Sequence, residues 1–523
     1  MAADATQYLL PEGLDLEAAL ARLAARLQLA VGPVGAVDRT FFDTFDGRLH
    51  AAGLALVGGG GRLVAAGGAG YGELAAAAVA PGTPGSASAP ATKGLFAGDL
   101  PEGVLRDLLA PKVEVRALLP IVRTRGSVRP LRVLNRDEKT VVRLQIEAPT
   151  AINGAAGGGG AAVPLRPRVR VIAVRGYDRA VARVRRTLVE DLGLEPSRVP
   201  LHDEAVLALG GRPGGTPAKL DLRLIGGAPA AAGAAVALGE ILRTIELNLP
   251  GVVDDIDNEF LHDFRVAVRR TRSVQRRLAT VFPAERLRWF RAEFRWLGQV
   301  TGPTRDLDVL LQDLVRFQRE ATAGRAAELA PLGDLLRGRR EAEWERMVAA
   351  LESQRARRLL GDWKAFLVEL GGDGAAGPTL GEVVGRRIRT VYRQMRRAGA
   401  AIDEDSPAVE LHDLRKQGKE LRYLLEIFAG LFPSAAVKPT VRTLKALQET
   451  LGEFQDRCVQ ATTMRSLGAE LATVAGGPAA LIALGVVLER IEDESAAARA
   501  DFSARFAIYA APEQRALVRE SFR

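Results

Sequence analysis

The chain reads as a two-domain α+β protein, with a strand-rich first part and an all-helical second part. Three observations predict this. Period-two runs of branched residues cluster before about residue 205, helical periodicity fills nearly everything after 234, and the helical part repeats itself at an offset of 150 residues. A length of 523 residues agrees, because it exceeds what one hydrophobic core ordinarily organises. A 47% hydrophobic and 26% charged composition is that of a soluble globular protein.

The elements follow in order. Leu14–Leu27 has helical period. Lys112-Val-Glu-Val-Arg116, Thr140-Val-Val-Arg-Leu-Gln-Ile-Glu147 and Arg168-Val-Arg-Val-Ile-Ala-Val-Arg175 alternate apolar and charged residues, which predicts strands with one buried face. Gly/Pro/Ala-rich loops at Ala80–Gly94 and Ala151–Pro164 separate them, and Asp178–Leu192 returns to helix. A first domain over 1–205 is thus followed by a linker over 206–232, with one short strand expected at Leu220–Leu224. The helical domain spans 233–520, as two repeats of about 233–370 and 378–520. Its clearest helices are Arg286–Gly298, Leu307–Ala321, Asp334–Gly361, Leu380–Ala398, Val409–Leu431 and Leu481–Phe506. Ser406-Pro407 predicts an N-cap followed by proline at the first helical position.

Composition narrows the chemistry. One cysteine, Cys458, excludes an internal disulfide framework and any multi-cysteine metal cluster. Four histidines, His50, His202, His262 and His412, argue against a histidine-rich metal enzyme. The first residues carry no basic segment of a secretory signal, and the uncharged stretches fall short of the roughly 20 predominantly apolar residues of a spanning helix. A cytoplasmic location is therefore expected. The net charge is +9, but residues 231–523 hold 44 basic and 41 acidic residues, so position matters more than balance.

Self-comparison locates the charge. Leu261-His-Asp-Phe-Arg-Val-Ala-Val-Arg-Arg-Thr-Arg272 aligns with Leu411-His-Asp-Leu-Arg-Lys-Gln-Gly-Lys-Glu-Leu-Arg422. At about 100° per residue, Arg265, Arg269, Arg272 and Arg276 share one face with His262. Arg415, Lys416, Lys419 and Arg422 do the same with His412. Residues 262–305 hold eleven basic and three acidic residues, and 412–445 hold seven and three. Like charges one turn apart repel, so a polyanion that pairs with both ridges would relieve them. The bland alternative is a solvated face, or one paired with acids such as Asp254, Asp255 and Asp257. Downstream, aligning Trp296-Leu-Gly-Gln299 on Thr450-Leu-Gly-Glu453 matches Arg288 with Arg442 and Arg291 with Lys445. That alignment places Gln455-Asp456 nearer its glycine than Arg305-Asp306.

The segment His262–Arg276, with Leu297-Gly298 and Thr304-Arg-Asp-Leu-Asp-Val309, resembles the conserved-histidine α-helical domain, CHAD. His412-Asp-Leu-Arg-Lys416, Lys419 and Leu421-Arg-Tyr-Leu424 resemble it again. The resemblance covers about 233–520. It implies two pseudo-symmetric four-helix bundles around a basic channel or surface that binds inorganic polyphosphate, and association with polyphosphate granules in bacteria. By position it implies binding roles for His262, Arg265, Arg269, Arg270, Arg272 and Arg276, and for His412, Arg415, Lys416, Lys419, Arg422 and Tyr423. Arg288, Arg291, Arg295, Arg442 and Lys445 are implied as auxiliary contacts. No cofactor and no metal are implied. Granule-associated proteins or a second copy are conceivable partners. Nucleic acid is disfavoured, since Tyr423 alone offers a stacking platform on the ridges.

The first domain resembles the triphosphate tunnel enzymes of the CYTH type, through Phe41-Phe-Asp-Thr-Phe-Asp-Gly-Arg-Leu-His-Ala-Ala-Gly-Leu-Ala-Leu56. An antiparallel β tunnel or barrel is implied. That family needs an N-terminal Glu-x-Glu-x-Lys strand to hold divalent metals. Here Ala5-Thr-Gln-Tyr-Leu-Leu10 has neither carboxylate nor lysine, and Arg168-Val-Arg-Val171 carries the opposite charge to that expected. Val57-Gly-Gly-Gly-Gly-Arg62 stands where the family has a basic strand. Glu114, Glu147, Asp137 and Glu138 are too scattered for a two-metal site. The expectation is a degenerate tunnel that is not an enzyme. An inorganic triphosphatase with a helical appendage, or a scaffold for an acidic partner, are the alternatives.

Overall fold

A computed structural model describes residues 7–67, 72–78, 94–153, 162–216, 222–320, 326–372 and 377–523. The chain divides into two compact units, Met1–Ala218 and Lys219–Arg523.

In the first unit, strand β1 (Gln7–Leu9) leads to helix α1 (Leu16–Arg26), which Asp15 caps by accepting the Ala18 amide at 2.7 Å. Next come β2 (Leu29–Val31), β3 (Gly35–Thr44), the single turn α2 (Arg48–Ala51), and the meander β4 (Leu54–Gly59), β5 (Arg62–Gly67) and β6 (Gly72–Ala78). Helix α3 (Val104–Val113) precedes the long strands β7 (Leu118–Leu134) and β8 (Thr140–Asn153). The unit closes with β9 (Val163–Pro164), β10 (Arg168–Ala173), α4 (Asp178–Arg186), β11 (Glu195–Pro196) and α5 (Leu201–Ala208).

All pairs are antiparallel, in the order β11-β1-β10-β8-β7-β3-β4-β5-β6. The expected antiparallel β domain is present, as a half-barrel. Strand β7 pairs with β8 along its length but divides its other edge between β3, up to Val128, and β2, from Leu131. The change of partner falls at Arg129-Pro130, where proline has no amide to give. Alternating residues of β7, β8 and β10, such as Leu131, Val142, Leu144 and Val169, bury against Leu23 of α1 and Val184 of α4.

One strand expectation is corrected. Lys112–Val113 ends α3 instead of opening a strand, because Leu105, Leu109 and Val113 form a fully buried stripe at helical spacing. A three-step alternation in five residues was too short to outweigh that stripe. The loop at Ala80–Gly94 and most of that at Ala151–Pro164 lie outside the described residues. So does the start of the strand expected at Leu220–Leu224, of which residues 222–224 form no strand.

The second unit is helical throughout. Its first repeat comprises α6 (Ala230–Val253), α7 (Asn258–Arg277), α8 (Ala284–Val300), α9 (Gly302–Glu320), α10 (Ala330–Leu351) and α11 (Gln354–Gly372). Its second comprises α12 (Leu380–Gly399), α13 (Ala408–Ile427), α14 (Ser434–Leu471), α15 (Gly477–Ala510) and α16 (Pro512–Ser521). Helices α6 and α12 pack on α7 and α13 respectively, and α7 packs on α13. Asp334–Gly361, read as one helix, is broken at Ser353, whose hydroxyl accepts the Ala356 amide at 3.3 Å and starts α11. The start of α13 shifts by one: Pro407 is the cap residue, and Ser406 turns back to Asp403 instead, donating to its carboxylate at 2.9 Å.

An aromatic cluster stabilises the first repeat. Trp363 of α11 is fully buried, with ring centroids of Phe290, Phe294 and Phe366 at 4.6, 5.3 and 5.4 Å. Trp363→Ala is expected to destabilise the helical unit by roughly 3–5 kcal/mol. The readout is a lowered urea midpoint of the far-ultraviolet helical signal of the full chain; an unchanged midpoint would contradict the packing.

Candidate functional site

Helices α7 and α13 are both 20 residues long and start 150 residues apart, as do the starts of α8 and α14. The offset continues inside α14. Buried Leu287, Phe290, Phe294 and Leu297 correspond to buried Val437, Thr440, Leu444 and Leu447. This corrects the alignment on the Leu-Gly pairs, which is one helical turn out of step. Arg288 is equivalent to Lys438 and Arg295 to Lys445, whereas Arg291 and Arg442 have no basic counterpart. Gln455-Asp456 is then in register with Arg305-Asp306.

The contacts agree. His262 Nδ1 lies 3.1 Å from Arg305 Nη2, and His412 Nδ1 lies 2.6 Å from Gln455 Oε1, each pair 43 residues apart. Both histidines therefore anchor their helix to the next rod of the bundle. Arg305 beside His262 also opposes a cation there.

One difference between the repeats has a local cause. Pro303 has no amide, and its ring clashes with the preceding turn, so the rod is interrupted at Thr301 between α8 and α9. Arg265 fills that break, donating to Gly298 O and Thr301 Oγ1, both at 3.0 Å. It sits at the negative end of α8. Helix α14 has Glu453 at the equivalent position and is continuous there, its one proline, Pro439, standing nearer its start, and Arg415 donates to the Asp456 carboxylate at 2.9 Å.

The two ridges meet where α7 crosses α13. Arg270 pairs with Glu426 at 3.4 Å and Arg276 with Glu420 at 2.6 Å, while Arg277 also reaches Glu420. Later residues of α7 contact earlier residues of α13, so the helices run antiparallel. Arg270 and Arg276 are the repeat equivalents of Glu420 and Glu426. The contact is therefore reciprocal, as at a two-fold interface, and acid in one repeat faces base in the other. Between these pairs Arg269 Nε donates to the Tyr423 hydroxyl at 3.3 Å. Tyr423 is buried, so it is a strut and not a stacking platform.

Crowding and burial shift the cations away from their ordinary values. Burial, reinforced by Arg269, pulls Arg265 down to about 10, still charged at neutral pH. Burial, then Arg276, Arg295 and Arg269, lowers Arg272. Burial pushes Lys419 down to about 7, with Arg415 and Arg269 adding repulsion. Asp306 is raised by burial, and Asp456 adds to this against the pull of Arg265, Arg305 and Arg269.

The sequence-predicted residues divide into groups. Arg265, Arg269, Arg272, Arg276, Arg415, Lys419 and Arg422 are mutual neighbours, with Arg295 beside Arg272. Arg272, Arg295 and Lys419 make no hydrogen bond or ion pair among the described residues. Lys416 pairs with Asp413 at 3.1 Å, Lys445 lies 3.6 Å from Glu449, and Arg291 donates to Gln275 O at 3.1 Å. Among the described residues, no hydrogen bond or ion pair ties the Arg288 or Arg442 side chain to the ridges. The acids named as alternative partners act elsewhere. Asp254 ends α6, Asp255 pairs with Arg340, and Asp257 caps α7 by accepting the Glu259 and Phe260 amides. The reading of the sequence missed Glu420 and Glu426. The available signal was acid at two positions where the other repeat has arginine.

In the first unit, the two strands that would carry carboxylates in a tunnel enzyme are neighbours, with Gln7 opposite Arg170 and Leu9 opposite Arg168. Arg168 is 1% exposed, donating to Glu204 at 2.7 Å and to Gln7 Oε1 at 3.4 Å. Glu147 pairs with Arg39 at 2.9 Å and Glu114 with Arg48 at 2.8 Å, while Asp137 lies in the turn between β7 and β8. Among the described residues, no group of three or more His, Cys, Asp or Glu side chains is set to share a metal ion. No helix of the described residues is long and apolar enough to cross a membrane.

A pair of stacked helical repeats joined by two basic helices defines the class of the second unit. Residues 236–465, within the helical unit, match the family model of the CHAD domain. Two uncharacterized proteins of Mycobacterium tuberculosis, one from each of two strains, are 30% identical over 210 residues. That is 38% of this chain and 38% of theirs, so the match spans well under half the length of these relatives. Among solved structures, the CHAD domain from the plant Ricinus communis is 24% identical with a TM-score of 0.45, covering 58% of this chain and 95% of that one. PptA from Streptomyces chartreusis is 18% identical with a TM-score of 0.43, covering 53% and 98%. The half-barrel of the first unit is consistent with the tunnel type that its sequence resembles.

Lys419 provides a test of the crowding. Between about pH 7 and its ordinary value of 10.5, the unfolded chain holds this proton and the folded chain does not, so stability rises with pH across that window. Lys419→Met is expected to raise the thermal midpoint at pH 6, a gain that vanishes toward pH 10.5. An equal gain at both ends would contradict the placement of a buried ammonium among arginines.

Proposed function

We propose that this chain binds inorganic polyphosphate along the joined ridges of α7 and α13, without catalysis, and that this binding places it on polyphosphate granules. One observation carries the reading. Buried or half-buried cations from two repeats converge with too few carboxylates among them to neutralise them, and Arg272, Arg295 and Lys419 make no ion pair among the described residues. A flexible linear polyanion supplies repeated charge along such a strip, and guanidiniums donate to its oxygens two at a time. The link of the CHAD family to polyphosphate supports it. A nucleic-acid reading lacks a platform, since the Tyr423 ring is buried.

The absence of catalysis is part of the proposal. Its support is the buried Arg168–Glu204 pair, which fills with a bound cation the strand region where a tunnel enzyme would present metal-binding carboxylates. Full-length protein with tripolyphosphate and Mg²⁺ or Mn²⁺ is expected to release no phosphate above buffer. Turnover abolished by Glu147→Gln would instead establish the triphosphatase reading.

Arg265 and Lys419 are too buried for a clean reversal, so binding is tested at exposed or unpaired positions. Arg272→Glu with Arg295→Glu is expected to weaken long-chain polyphosphate binding at least a hundredfold without changing the circular dichroism spectrum. Affinity is also expected to fall as pH rises through about 7, where Lys419 loses its proton, with proton uptake on binding at pH 8. Undiminished affinity in the double variant would overturn the site.

A further inference from the structure

A cavity of about 590 Å³ lies beside the C-terminal end of α7, between the start of α6, the turn after α7 and one face of α12. Its volume falls in the range of roughly 300–1,000 Å³ typical of small-molecule sites. Arg277, Arg386 and Arg387 line it together with Thr280 and Val383, and its remaining walls are mostly alanine, proline and valine.

The balance of charge there is unusual. Arg277 shares Glu420 with Arg276 of the ridge. Among the described residues, the Arg387 side chain donates only to a backbone carbonyl, that of Arg277. The Arg386 guanidinium makes no hydrogen bond or ion pair among the described residues; the nearest acid on its own helix is Glu382, one turn away, whose carboxylate accepts the Thr379 amide at 3.0 Å and feels the Arg386 charge without pairing with it. Three guanidiniums thus face one cavity with a single shared carboxylate directly paired to them. Burial lowers Arg387, and the adjacent Arg277 lowers it further, so the two cations are held in mutual repulsion. A dianion between them would relieve it, and the apolar walls would cover an uncharged body attached to that dianion.

We propose that this cavity binds a small organic phosphate ester, with the phosphoryl group held by Arg277, Arg386 and Arg387 and the organic group lying against Val383. This site uses different cations from the unpaired ones of the ridge, and it stands whether or not the ridge binds polyphosphate.

The test is calorimetric titration of the full chain with phenyl phosphate at constant ionic strength. One saturable site is expected, with the same affinity in the ridge variant Arg272→Glu/Arg295→Glu. Affinity should drop at least tenfold in Arg386→Ala, whose side chain is exposed and unpaired. It should be lost in Val383→Trp, which fills the cavity. No saturable binding to the unaltered chain, unchanged affinity in Arg386→Ala, or loss of binding in the ridge variant would each overturn the proposal.

Discussion

The helical unit depends on one contact, the antiparallel crossing of α7 on α13. If the two repeats were identical there, Arg270 would face the second copy of Arg276, and Arg276 that of Arg270. Like-charged pairs crossing in a partly dry interface would drive the helices apart. Glu420 and Glu426 stand at those two positions in the second repeat, so each arginine meets an acid across the pseudo-dyad. Fixing the crossing brings the remaining cations of both helices side by side. Lys419 of α13 is then pressed against Arg269 of α7. The electrostatic tension of the strip follows from the same contact that holds the repeats together.

The histidines support this arrangement from outside. Each tethers the start of its helix to the adjoining rod at equivalent positions, through Arg305 in one repeat and Gln455 in the other. The rods themselves differ at Pro303, where the second repeat has Glu453. Pro303 opens a gap that Arg265 occupies, and the continuous α14 obliges Arg415 to use a carboxylate instead. The two halves of the strip are alike in charge but not in how their arginines are committed.

Much of this was legible in the sequence. The ridges were, because arginine and lysine at spacings of three and four residues can share only one face of a helix. The division into a strand-rich and a helical unit was legible from the change of period. The pairing of α8 with α14 was misread, because two Leu-Gly pairs match by residue identity while the true register is carried by burial. Helical cores tolerate Phe290 opposite Thr440, so identity there is a poor guide. The strand read at Lys112–Arg116 failed because Val113 belongs to a helical stripe begun at Leu105. Glu420 and Glu426 could not be assigned from spacing, since their partners lie on a helix whose crossing sense appears only in three dimensions.

The central claim is that both ridges engage one polyanion. The salt dependence of long-chain polyphosphate affinity tests it most directly, because the slope of log affinity against log salt counts the phosphates neutralised together. A steep slope is predicted for the unaltered chain, falling markedly when either Arg272 with Arg295 or Arg422 with Lys416 is replaced by Ala. A slope left unchanged by both replacements would contradict the account.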